Sequence, residues 1–133
     1  MARAPAGRRE DRVVVILGLE HVQLAMPPGG EALAIAFYDG LLGIAHVPKP
    51  AHLLARGGCW FESDAVKLHL GVEEPFTPAR KAHPALLVDD LDLVVDRLAS
   101  GGHRATEAER FGETRHCYCE DPFGNRLELI ESR

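Results

Sequence analysis

The stretch LEHVQLAM (residues 19–26) alternates apolar and polar positions with the period of a strand, and Pro27-Pro28-Gly29-Gly30 then breaks the chain. EALAIAFYDGLLG follows, with Leu33, Phe37 and Leu41 spaced by four, which predicts an amphipathic helix closed by Gly43. Three short extended pieces come next, at residues 44–47, 58–63 and 66–72. The second half repeats this order. AHPALLV (82–88) reads as a strand, Asp89 or Asp90 is placed to cap, and Leu91, Val94, Val95 and Leu98 make a helical stripe stopped by Gly101-Gly102. Extended pieces at 103–108, 114–120 and 126–131 complete the half, the last two joined by a turn at DPFGN.

Each half is therefore a strand, a helix and three strands, and the pattern predicts an α+β fold of two βαβββ modules. One helix cannot cover both faces of its sheet, so the two modules are expected to pack edge to edge into one curved mixed sheet. The helices would lie on the convex side, leaving the concave side as a cup for a small molecule. The boundaries are a flexible tail at 1–12, a first module at 13–76, a linker at 77–82 and a second module at 83–133. EEPFTPARKAH, between the modules, suits either a mobile lid or a plain crossover.

Strand parity then places the polar residues. Leu68, Leu70, Leu127 and Leu129 are natural helix-facing positions, which leaves Lys67, His69, Arg126 and Glu128 for the cup. On the opening strands, His21 shares a face with Gln23, and His83 holds the matching place in the second repeat. Three imidazoles and a carboxylate would thus converge from four strands, a donor set that suits a divalent metal such as Zn, Mn, Fe, Ni or Co. Lys67 is a candidate for gripping an anionic substrate. Trp60, Phe61 and Tyr118 are left open between cup and core, while His46, His52, His103 and His116 have no counterpart in the repeat and receive no role. Glu131, of opposite parity to Glu128, is expected to be solvated.

Composition narrows the class. The 133 residues suffice for one domain with an ordinary core, and 46% hydrophobic with 26% charged residues is a globular balance. A net charge of −5 argues against a nucleic-acid partner. Three cysteines, an odd number, read as reduced thiols and point to a cytoplasmic protein. Arg8-Arg9 is followed by an apolar run, VVVILG, too short for an export signal, and nothing approaches the roughly 20 apolar residues of a membrane span.

LEHVQLAM, AFYDGLLG, KAHPALLVDDLD and the closing EDPFGNRLELIE together resemble the vicinal-oxygen-chelate superfamily over residues 17–131. That superfamily includes glyoxalase I, fosfomycin-resistance transferases, methylmalonyl-CoA epimerase, extradiol dioxygenases and metal-free bleomycin-binding proteins. The resemblance implies metal ligands at His21, His69, His83 and Glu128. His69 departs from glyoxalase I, which has an oxygen donor there, whereas His21, His83 and Glu128 match a two-histidine, one-carboxylate set. The implied function is a divalent-metal-dependent enzyme that chelates adjacent oxygens of a small substrate, with Glu128 and His69 as candidates for moving a proton. A metal-free antibiotic-binding protein and an extradiol-type dioxygenase are the alternatives. The resemblance also implies a homodimer, in which the four ligands can come two and two from different subunits.

Overall fold

The computed structural model describes residues 8–132. The first module consists of β1 (Val22–Met26), α1 (Glu31–Ile35), β2 (His46–Val47), β3 (Cys59–Glu62) and β4 (Lys67–Val72). The second consists of β5 (Ala85–Val88), α2 (Leu91–Ser100), β6 (Thr106–Glu107), β7 (His116–Glu120) and β8 (Arg126–Glu131). Both modules have the predicted order. The opening strands begin later than the sequence pattern suggested, so His21 and His83 stand just before β1 and β5.

Each module folds its strands into one mixed sheet, in the orders β1-β4-β3-β2 and β5-β8-β7-β6. The opening and closing strands run parallel and the others antiparallel. Register makes the repeat exact at residue level: His69 faces Gln23 and Trp60, and Glu128 faces Ala85 and Tyr118. His21 and His83 are each two residues before the partner on the opening strand, so they occupy equivalent places.

Among the described residues, strand pairing stays within each module, so the edge-to-edge sheet expected from the sequence is not formed within one chain. The modules instead share a core through their helix-bearing sides. Leu68, Leu70, Leu127 and Leu129 are fully buried there, as parity required, together with Phe37 and Leu98. The first helix and the end of α2 meet closely, with the Leu41 side chain 2.5 Å from where a Cβ at Gly101 would project.

The first helix differs from its predicted face. α1 passes into a π-helical segment, Ala36–Leu41, and the buried stripe runs through Ala34, Phe37 and Tyr38, one residue over from Leu33, which is left 59% exposed. Gly43, at φ +74°, ends it as expected. In α2 the cap is Asp90, whose Oδ1 accepts from the Leu93 amide at 3.0 Å. Glu131 is not the idle residue expected: its Oε2 accepts from the Leu91 amide at 3.0 Å, because its parity aims it at the start of α2.

The DPFGN turn locks the modules together. Asp121 Oδ1 accepts from the amides of Phe123 and Asn125, and its Oδ2 accepts from Tyr38 of the first module at 2.8 Å. Asn125 donates to Asp121 Oδ2 and to the Ala25 carbonyl, and accepts from the Ala79 amide. Ala79 also accepts from the Arg126 amide, so 77–82 is tied down as a crossover. All three cysteines are buried free thiols; burial pushes Cys59 up to about 11 and Cys119 up to about 12, which keeps both protonated. No helix among the described residues is long and apolar enough to cross a membrane.

Candidate functional site

Glu128 lies on the face of β8 opposite to Leu127 and Leu129, yet only 6% of it is exposed. A buried carboxylate needs polar partners, and two imidazoles face it. His83 Nε2 is 3.0 Å from Oε1, and His116 Nδ1 is 2.8 Å from Oε2. The second nitrogen of each ring also faces an oxygen: His83 Nδ1 is 2.7 Å from the Lys81 carbonyl, and His116 Nε2 is 2.6 Å from the Glu109 carbonyl.

This arrangement has a chemical consequence. A carbonyl can only accept, so the nitrogen facing it must carry the proton, and a neutral imidazole then turns a lone pair toward the carboxylate. Two lone-pair atoms facing one another require a cation between them, either a proton or a metal ion. A ligating histidine whose other nitrogen donates to a backbone carbonyl is the usual arrangement at metal centres. The His83 side is the more open, whereas His116 is 2% exposed and stacked on Phe111 with ring centroids 4.1 Å apart. His83 Nε2 and Glu128 Oε1 are therefore the accessible donor pair, and His116 fixes the carboxylate from behind.

The first module presents a related group. His69 lies between Trp60, parallel at 4.1 Å, and His21, stacked at 4.4 Å, and its Nε2 donates to Glu62 Oε2 at 3.0 Å. Lys67 shares the face, but its ammonium donates to Glu20 at 3.1 Å, and that hydrogen bond raises the lysine pKa and lowers the carboxylate's. Glu20 also accepts from His21 Nδ1 at 3.3 Å.

Of the four expected ligands, one chain brings together His21 with His69 and, separately, His83 with Glu128. Among the described residues no three His, Cys, Asp or Glu side chains are grouped to hold a metal ion. Phe61 belongs to the core, while Trp60 and Tyr118 stand on the site faces, Tyr118 with its ring 5.5 Å from His83. Sequence reasoning missed His116 and Glu62. Parity with Tyr118 was the available signal for His116, but the repeat hid it, since register places Gly58 at its counterpart.

Comparison with known proteins agrees with this architecture. The sequence profile of the Glyoxalase-like domain matches residues 29–130. A crystal structure of a protein assigned to the glyoxalase family from Bacillus anthracis is 39% identical, covers 92% of this chain and 100% of its own, and superposes with a TM-score of 0.85. The fosfomycin resistance protein FosX from Listeria monocytogenes is 18% identical, with 90% and 96% of the two chains covered and a TM-score of 0.72. A variant of that protein, complexed with Mn(II) and 1S,2S-dihydroxypropylphosphonic acid, is 19% identical, with 90% and 95% covered and a TM-score of 0.73. No curated protein sequence matches. With more than half of its length matched by the profile, the chain belongs to the Glyoxalase-like domain family of the vicinal-oxygen-chelate superfamily.

Proposed function

We propose that the protein is a divalent-metal-dependent enzyme acting on a small, oxygen-rich substrate, with His83 and Glu128 as one half of the metal site and His21 and His69 as the other. The observation that carries this reading is the buried Glu128 carboxylate facing His83 Nε2 across 3.0 Å while the Lys81 carbonyl holds the other ring nitrogen. The donor chemistry fits a Zn, Mn, Fe, Ni or Co ion, and the Mn(II) complex of the Listeria relative gives a precedent on the same fold. A bound ion would supply Lewis acidity toward two adjacent substrate oxygens. Glu128 and His69 are the side chains suited to move a proton, both held on their strands by a second hydrogen-bonded group.

The halves lie on separate sheets, so the full set is completed by a second copy of the chain, with the first module of one subunit facing the second module of its partner. The metal-free binding protein remains the competing reading, and metal content decides between them. Protein stripped by chelator and reconstituted should take up one divalent ion per pair of half-sites. His83→Ala and Glu128→Ala should abolish uptake, while His103→Ala should leave it intact. Absence of uptake by the wild-type protein would transfer the assignment to the binding class.

A further inference from the structure

An open cavity of about 780 Å³ lies at the end of the second sheet where β7 turns into β8. Its wall combines Arg80 from the linker, Arg104 after α2, Thr106, Tyr118 and Arg126. We propose that this cavity binds the doubly charged oxyanion head of a small ligand, a phosphate or phosphonate group, through Arg80, Arg104 and Arg126.

The argument begins with charge pairing. In a chain with 15 basic and 20 acidic residues, an arginine has ample choice of carboxylates. Arg115 shows the ordinary outcome, with Asp92 at 2.9 Å, Glu107 at 2.7 Å and Glu131 at 4.0 Å. Arg80, Arg104 and Arg126 line one cavity, and none has a carboxylate partner among the described residues. Asp121, also in the wall, is committed on both oxygens to the turn and to Tyr38. Glu120 faces Arg126 in register without forming an ion pair, which leaves it the one uncommitted carboxylate beside three guanidinium groups.

Arg126 is the best organised of the three. Its guanidinium lies 4.1 Å over the Tyr118 ring, a cation–π contact that fixes its plane. Its other contact is a 3.5 Å approach to the Arg80 carbonyl, so most of its donors are free for an oxyanion, whose geometry matches the fork of an arginine. The placement suits a substrate pocket. Arg126 is two residues from Glu128 on the same strand face, and Tyr118 lies opposite Glu128 in register. An anionic head held here would set the rest of a ligand beside the proposed half-site, so the assignment to substrate rests on the proposed function, although anion binding itself does not.

The test therefore uses metal-free, chelator-treated protein at about physiological ionic strength, where distant charges are screened. Inorganic phosphate and acetate are titrated by calorimetry. Phosphate should bind saturably at one per chain, with acetate weaker by tenfold or more. Arg104→Gln and Arg126→Gln should each weaken phosphate by about tenfold, as expected for loss of one charge-assisted hydrogen bond, while Arg56→Gln, outside the cavity wall, should not. Unchanged melting temperatures would show that the variants remain folded. Absence of saturable phosphate binding, or an equal loss in Arg56→Gln, overturns the proposal, and acetate binding as tightly as phosphate overturns its preference for a doubly charged head. Failure of metal uptake in the reconstitution experiment leaves this result untouched, so the two readings fail separately.

Discussion

At the scale of single residues, Glu128 separates a ligand from a structural carboxylate. Glu128→Gln keeps the volume and one acceptor but removes the charge, and its amide NH₂ can donate to the lone pair that one neutral imidazole turns toward it. Metal affinity should fall by more than a hundredfold, because a neutral amide replaces a charged carboxylate ligand, while the metal-free protein should stay folded. His116→Asn removes no proposed metal donor, only the ring that holds Glu128 from behind, and should cost about 10–100-fold in metal affinity, the scale of a residue that orients a ligand. Glu113→Gln, exposed and outside the site, is the control. Metal binding unchanged in all three variants would reduce Glu128 to a buried structural charge. Strand parity made Glu128, His69, His21 and His83 legible, since alternation and the repeat both act on neighbouring residues. His116 was not legible because its partnership is diagonal across β7 and β8, and Glu131 was misread because parity says which face a side chain takes but not what waits there.

At the scale of elements, the DPFGN turn is more than a hairpin connection, because its two polar side chains reach β1, the first helix and the linker. Asn125→Ala leaves the Ala25 carbonyl and Asp121 Oδ2 each short of a donor in a buried network and should destabilise the fold by about 2–4 kcal/mol. Tyr38→Phe removes one hydroxyl from the same node and should cost about half as much. Denaturant midpoints check both, and an Asn125→Ala protein as stable as wild type would mean that the modules are held by apolar packing alone. The motif was visible in the sequence as a turn, but its reach across the molecule depends on contacts 83 and 100 residues away along the chain. The helices show the same divide. α2 followed its predicted stripe, while in the first helix the spacing of four from Leu33 named the wrong edge of the stripe, which the core takes at Ala34, Phe37 and Tyr38.

At the scale of the whole molecule, the unpaired edges and uncovered apolar residues matter most. β1 and β5 each pair on one side only, Leu87 on β5 is 74% exposed, and the run from Val13 to Leu17 touches little of its own chain, Leu17 being 96% exposed. Apolar surface and free strand edges of this kind favour a second copy, which would also bring a His21–His69 half-site to a His83–Glu128 half-site. Sequence patterning could predict two modules but not which module faces which, because alternation and the repeat act along one chain and carry no signal about packing between distant faces. Mixing two inactive variants decides it. One carries His21→Ala with His69→Ala, the other His83→Ala with Glu128→Ala, and neither should bind metal alone. If sites form between subunits, random reassociation makes half the molecules mixed dimers, each with one intact and one doubly damaged site, and metal uptake should recover to about a quarter of wild type. If each site is built within one chain, no mixture contains an intact set and uptake stays at zero. Light scattering on the same samples provides the companion measurement, since a monomer at micromolar concentration would rule out the shared site whatever the metal content.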